Sequence, residues 1–486
     1  MGIKVSKNIY ILCLLVNSTV IAIGMIAGSN LLYLGALLIW ANLMIYALNK
    51  IKNRIFLCCF GISFFVFLLG RDGLEQLFDH RIETLFPESI NNHAYLSMII
   101  SLIGIWVSYI VFQKNPSQHL LTRIVNINCK PFSIYFYVRK YSRIAFFMVL
   151  PFAILLNLII AYFVIRFGYY SSFTDLRVIM ENSPTFSILS KIEMLLPTSF
   201  AIFMSTLPSK QEFKRVGGSY IIYLLITLAC GARGDFVLGA LLIIIFLVFM
   251  QRLQPNIVWV KKKYVKLCLF TLPLIAVGAT FYKNIRFGES VEDVSFMDGF
   301  TSFFYDQGVS LNTLKRAYQY EDAIPKQDGF YSFEFLYVGI PARILGIPVY
   351  QGNTIDHATK GHSFTHAFGY TIMGNGYLMG AGPGSSYIAE LYYDFGYIGV
   401  FLGSCLYGFI FTLINNFNSG GLLRRSLIFM IIPRLLWAPR SGFSWFISFL
   451  IAPTTIILVG FIFIAAQRAY KKHNKVKELH SAIDMI

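Results

Sequence analysis

Apolar runs of about twenty residues recur along this chain, and they leave few folds open to it. A helix of that length crosses the hydrocarbon core of a bilayer, where no backbone polar group can go unpaired. Twelve spans can be read, near residues 9–28, 30–49, 55–70, 94–113, 144–165, 186–206, 218–232, 235–251, 267–281, 385–414, 426–438 and 442–466. The expected fold is therefore all-α and polytopic, with about 12 transmembrane helices. Composition agrees: 56% of the 486 residues are hydrophobic and 13% are charged. That is about half the charge a water-exposed surface carries. A soluble enzyme, a secreted disulfide scaffold and a disordered tail are excluded.

Charge orients the chain. The 41 Lys and Arg exceed the 24 Asp and Glu by a net +17, which in a soluble chain would point to nucleic acid. With both termini in the cytoplasm, the excess instead gathers in the inner segments. Lys50, Lys52 and Arg54 lie in one loop, Lys261, Lys262, Lys263 and Lys266 in another, and Arg468, Lys471, Lys472, Lys475 and Lys477 in the tail. Glu212, Glu478 and Asp484 are the only inner acids, and acids outnumber bases outside. Every inner loop is positive, as the insertion rule requires. The charge is thus a topology signal, and no nucleic-acid partner is expected. Of the seven cysteines none falls in an external loop, so neither a disulfide framework nor a zinc site is implied.

Four regions follow: a bundle of about nine spans over 1–281, a large external loop over 282–384, three spans over 385–466, and a basic tail over 467–486. A shorter external segment, 71–93, has Leu74, Leu77, Phe78, Ile82, Leu85 and Phe86 at near-helical spacing, which predicts an interfacial helix. The large loop closes with seven glycines within 361–384. Glycines suit tight turns, and equally a backbone that approaches an anion with its N–H groups.

A long penultimate external loop, a Gly/Ser-rich return and "AELYYDFGYIGV" opening a helix together resemble the Wzy O-antigen and oligosaccharide repeat-unit polymerases. "GYYSSF" beyond the fifth span, "GARGDF" between the seventh and eighth, and "RSGFSW" at the last span also resemble that family. The resemblance implies a multi-pass glycosyltransferase of the bacterial inner membrane, active at the periplasmic face. Its substrate would be undecaprenyl-pyrophosphate-linked oligosaccharide among membrane lipids, with no cofactor. A chain-length regulator is the further partner the family suggests. A related O-antigen ligase, or a precursor transporter or flippase, remains the competing reading.

A lipid pyrophosphate calls for cations at the outer face, and arginine grips phosphate oxygens in a fixed fork. Arg233, Arg286, Arg343, Arg434 and Arg440 lie where such a site would be; snorkelling to the headgroups is the competing reading of each. Arg233 and Arg440 sit in the family-like motifs. The attacking sugar hydroxyl needs a base within hydrogen-bond reach. Glu390, which shares a helical face with Asp394, is the first candidate. His362 and His366, with His357 nearby, are the rivals, sharing a face if their segment is helical. Aromatics such as Tyr331, Phe333, Phe335 and Tyr337 could stack on sugars, although an interfacial belt is their ordinary use.

Overall fold

No strand occurs among the described residues, which are 7–78, 86–113, 132–167, 183–230, 233–261, 278 and 296–483 of a computed structural model. Among the described residues, eight helices are long and apolar enough to cross a membrane: Ser29–Asn49, Ile51–Leu74, Glu88–Phe112, Ile134–Arg166, Pro184–Ser205, Gly234–Leu253, Tyr387–Asn415 and Pro453–Lys477. Each overlaps an expected span. Pro453–Lys477, however, begins eleven residues later than the expected 442–466, whose first part is the separate Trp445–Ile451 helix, and it runs into the expected basic tail. Helices also cover three other expected spans, as Lys7–Ala27, Lys210–Ala229 and Leu422–Leu436. Residues 267–281 lie, except for 278, outside the described residues.

The chain divides into two compact units. The first comprises Met1–Lys114, Lys261–Asn415 and Arg434–Ser448; the second comprises Asn115–Val260, Asn416–Pro433 and Phe449–Ile486.

In the first unit, small residues let the Glu88–Phe112 and Tyr387–Asn415 helices meet at backbone distance. A methyl group on Gly104 would lie 2.8 Å from the Phe401 carbonyl, and one on Gly408 2.3 Å from the Ile105 carbonyl. Ser108 donates to the Cys405 carbonyl at 2.6 Å, and Ser404 donates to Ser101 at 2.8 Å. Lipid tails are as apolar as leucine, so close packing and interhelical hydrogen bonds, not hydrophobicity, hold such a pair together.

The Tyr387–Asn415 helix is not one straight rod. Gly396 sits at φ 62°, ψ −157°, a conformation essentially restricted to glycine. The chain doubles back there. Tyr387 and Tyr407 would be about 30 Å apart along a straight helix, yet their ring centroids are 5.0 Å apart. Leu391 accordingly packs on Gly399 and Gly403. The expected single span over 385–414 is thus a helix entered through a fold-back.

A second departure concerns 71–93. The Ile51–Phe64 helix runs through a π-helical turn, Phe65–Leu69, directly into Gly70–Phe78, and the next helix starts at Glu88. Arg71 and Asp72 are buried. Over Gly70–Phe78 the apolar spacing therefore belongs to the continuation of a candidate membrane helix, whereas residues 79–85 lie outside the described residues. The π-turn leaves the Leu69 carbonyl to accept from the Tyr33 hydroxyl at 2.6 Å.

In the second unit, Ile134–Phe167 packs against Pro184–Glu193, Leu195–Ser205, Lys210–Ala229 and Pro453–Ile483. A capping box at Ser209 and Glu212 starts the Lys210–Ala229 helix, satisfying two of its orphan N–H groups. Arg139 ties that cap down through Glu212 at 3.1 Å and the Thr206 carbonyl at 2.9 Å.

Candidate active site

The fold-back at Gly396 decides where Glu390 goes. It brings Glu390 alongside Tyr407, about 15 Å along the helix from its Gly396 end. There the carboxylate meets the turn 440–443. The Phe443 N–H donates to Glu390 Oε2 at 2.7 Å, and the Ser385 hydroxyl donates to Oε1 at 2.7 Å. Glu390 is 1% exposed. Gly442 makes the approach possible, because a Cβ there would lie 2.7 Å from Oε1. The Tyr407 hydroxyl braces the same turn from behind, donating to the Phe443 carbonyl at 2.7 Å. The "AELYYDFGYIGV" and "RSGFSW" motifs, some fifty residues apart, are therefore one local structure.

Arg440 opens that turn. Its Nη1 donates to the Gln307 carbonyl at 3.3 Å, and its guanidinium lies 5.8 Å from the Phe67 ring and 5.7 Å from the Trp437 ring. Burial pulls its pKa down, and the charge of Asp306 opposes that. Arg434 is turned elsewhere, over the Trp445 ring at 4.6 Å. Arg343 is exposed on the short Gly339–Leu345 helix beside exposed Ile344 and Leu345. Arg233 is the first residue of the Arg233–Leu253 helix, in the second unit. Arg286 lies outside the described residues.

Asp394 does not join Glu390. Its carboxylate accepts from the backbone N–H groups of Tyr331 and Ser332, at 3.2 and 2.6 Å. This fixes the start of a 3-10 turn, Tyr331–Leu336, which holds Tyr331, Phe333 and Phe335 and is capped by Tyr337.

The histidines part company as well. The helix begins only after Ser363, spanning Phe364–Met373, and His362 precedes it at φ 51°. The shared face expected of His362 and His366 therefore does not form. His362 stacks on Tyr337, with centroids 3.9 Å apart. His366 stacks on His357 at 3.6 Å, and its Nδ1 pairs with the Tyr377 hydroxyl at 2.8 Å. His357 Nδ1 donates to the Gly352 carbonyl at 2.7 Å. Burial lowers the pKa of both His357 and His362.

The sequence profile of the family described as "O-antigen polysaccharide polymerase Wzy" matches residues 8–473 of the chain. The chain belongs to the Wzy family. No curated protein and no solved structure matches it. It is thus a multi-pass membrane protein of O-antigen polymerisation, and Wzy polymerases act on lipid-linked repeat-unit oligosaccharides.

Among the described residues, "RSGFSW" is the Wzy-like motif whose backbone meets the candidate acid Glu390. "GARGDF" starts a helix in the second unit, and "GYYSSF" falls outside the described residues. Cys230, at the end of the Lys210–Ala229 helix, donates from its thiol to the Asn157 carbonyl at 2.9 Å.

Three charged residues near the Arg440 turn escaped the sequence reading. Asp72 and Lys315 form a buried ion pair at 2.6 Å, each side chain 6% exposed. The Tyr95 hydroxyl also donates to Asp72. Arg71 lies over the Tyr305 ring at 4.0 Å, with Gly308 pressed against its Cα and Cβ. Arg71 and Arg440 thus hold the same bend, Phe304–Gly308, from two different elements. An Arg-Asp pair at the end of an apolar run was the available signal, since ionisable groups at that depth are costly and commonly functional.

Proposed function

We propose that this Wzy-family chain is a glycosyltransferase that polymerises undecaprenyl-pyrophosphate-linked repeat units at the periplasmic face of the inner membrane. The growing chain leaves its carrier and joins the non-reducing end of the incoming unit. In that step the bond from the anomeric carbon to the pyrophosphate oxygen breaks. A glycosidic bond to the acceptor hydroxyl forms, and the acceptor loses a proton. The single observation that carries this reading is that Glu390 and Arg440 share one turn, the acid bonded to its end and the cation at its start.

In this reading Arg440 neutralises the departing pyrophosphate, with Arg233, Arg286, Arg343 and Arg434 as the further phosphate ligands. Arginine suits the task because it stays charged and offers paired donors. Glu390 accepts the proton or holds the acceptor hydroxyl. His362 and His366 are the alternative bases; burial lowers the pKa of His362 and so favours its neutral, accepting form. A chain-length regulator is a further expected partner.

The test is product analysis of the purified protein given a lipid-linked repeat unit. Carrier-linked dimers and longer oligomers, with release of undecaprenyl pyrophosphate, are the expected products. Transfer only to lipid A core would select the ligase reading. Passage of intact units across the bilayer without joining would select a transporter.

A further inference from the structure

Beyond Gly396 the crossing helix exposes one stripe, Ile398, Leu402, Leu406 and Phe409, with Ile398 73% and Leu402 60% exposed. Steps of three and four keep these residues on one helical face, the face that a membrane helix turns to lipid. Phe395, just before the glycine, is also exposed and marks the end of that stripe. The large loop carries the same kind of surface onward. Phe330 and Phe333 pack on the Phe395 ring, with centroids 4.7 and 6.2 Å away. Both remain exposed, as do Leu336, Ile344, Leu345 and Val349. The Gly339–Leu345 helix packs against the Tyr331–Leu336 turn, so these side chains extend one surface. Ile344 is 79% exposed and Leu345 59%, as bare as the stripe on the crossing helix.

The chemistry of the segment suits an apolar neighbour. Residues 336–350, LYVGIPARILGIPVY, contain no acid and a single charge, Arg343. The short helix ends in a closed cap: Gly346, at φ 68°, donates to the Arg343 carbonyl, and the Ile347 N–H donates to the Ala342 carbonyl at 2.8 Å. Pro341 and Pro348 carry no backbone donor at all. Few backbone polar groups are left that depend on water, which is the condition for resting against hydrocarbon. Exposed apolar surface of this continuity marks a place of interaction.

We propose that residues 330–349 form an interfacial anchor that seats the large loop in the bilayer leaflet at the Gly396 end of the crossing helix, its apolar face covered by phospholipid acyl chains. Continuity commits the surface to lipid, because through Phe395 it runs into the exposed stripe of a membrane helix. Ile344 and Leu345 enter the chains, and the long stem of Arg343 lets its guanidinium reach the headgroup phosphates beside them. The anchor also bears on Glu390. Asp394 holds the Tyr331–Leu336 turn by two N–H groups and lies one helical turn from Glu390. Lipid against the anchor thereby steadies the segment that carries the acid. The inference needs only that the chain spans a membrane, and it stands or falls separately from the polymerase reading.

The test is photo-crosslinking of the full chain in nanodiscs of phosphatidylethanolamine and phosphatidylglycerol, with benzoylphenylalanine replacing Ile344, Val349 or Lys360 in turn. Lys360 is the control, since it pairs with Asp356 in water, both side chains 62% exposed. Adducts of phospholipid mass are expected from positions 344 and 349 and not from 360. Leu345→Glu is expected to cut the adduct from position 344 at least about fivefold, because a carboxylate resists entry among acyl chains. Leu345→Met is expected to retain it, which separates lost apolarity from changed shape. Leu345 is exposed, so neither variant opens a cavity in the core. The nanodiscs hold no lipid carrier, so the outcome does not depend on polymerisation. Adducts with the mass of a second chain would assign the surface to self-association, and displacement of the phospholipid adducts by added undecaprenyl pyrophosphate would assign it to the carrier's tail. Either result overturns the proposal. Equal phospholipid yields from 344 and 360, or none from both 344 and 349, would overturn it as well.

Discussion

The backbone N–H of Phe443 donates to the buried carboxylate of Glu390 at 2.7 Å, and the residue between Arg440 and Phe443 that allows it is Gly442. An acid and an arginine that sequence reasoning assigned to separate tasks are therefore mechanically linked.

Gly442→Ala tests that link without touching a charge. The added methyl would lie 2.7 Å from Glu390 Oε1 and 3.0 Å from Oε2, so the turn must shift. Surface polysaccharide is expected to collapse from a ladder to single repeats, as in Glu390→Gln and Arg440→Ala, with protein still found in the membrane. A wild-type ladder in Gly442→Ala would show that the turn's position is irrelevant.

Arg440→Lys separates charge from geometry. If the guanidinium fork matters for phosphate, lysine will not substitute, since it presents a single point charge. Polymer yield is expected to fall at least about tenfold, equivalent to about 1.4 kcal/mol in the barrier. Arg233→Ala is expected to act in the same direction.

Gly396→Ala should damage folding more than chemistry. Any side chain at φ 62°, ψ −157° is strained, by about 1–3 kcal/mol. A lower melting temperature in detergent is expected, together with loss of polymer. An unchanged melting temperature would mean that the fold-back is not held by that glycine.

Asp72 and Lys315 make a clean cycle. Removing either partner strands a buried charge, at a cost of about 3–5 kcal/mol. Asp72→Asn and Lys315→Met should each lower thermal stability, and the double variant should recover much of the loss. A double variant as unstable as the sum of the singles would mean that the pair contributes no coupling.

Stability should also respond to pH through His357. Burial lowers its pKa in the folded state, so below the ordinary value of about 6.5 the unfolded chain binds more protons. Stability is then present above that pH and declines as pH falls toward the folded value. The melting temperature should drop between pH 7.5 and 5.5, and less so in His357→Gln. Equal drops would assign the effect to other groups.

What the sequence disclosed, and what it did not, follows from the range of the interactions. Most spans were legible because lipid exposure demands continuous apolar runs, a local property. Glu390 stood out because a carboxylate in such a run is conspicuous. The Asp72–Lys315 pair joins residues 243 positions apart, and no local pattern encodes a partner at that distance. The separation of His362 from His366 turned on where one helix starts. The fold-back was invisible for a different reason: Glu390 and Asp394 before Gly396 do not interrupt the apolar run enough to mark a reversal, and that glycine is one of 37.

That last feature changes how this region would answer a topology map. The stretch beyond Gly396 is about 19 residues, roughly 28 Å, and suffices alone to cross the hydrocarbon. The nine or so residues before it, about two and a half turns, run antiparallel beside that helix as a hook, Tyr387 level with Tyr407. Hydropathy adds hook and crossing into a single 29-residue helix. A thiol-labelling scan would therefore find Ser385 and Ser386, nominally at the end of a loop, shielded from reagent. Protection would then lift toward residue 396 before returning further along the helix. A labelling pattern that reverses within one hydropathy peak is the signature of a chain that turns back on itself before it goes through.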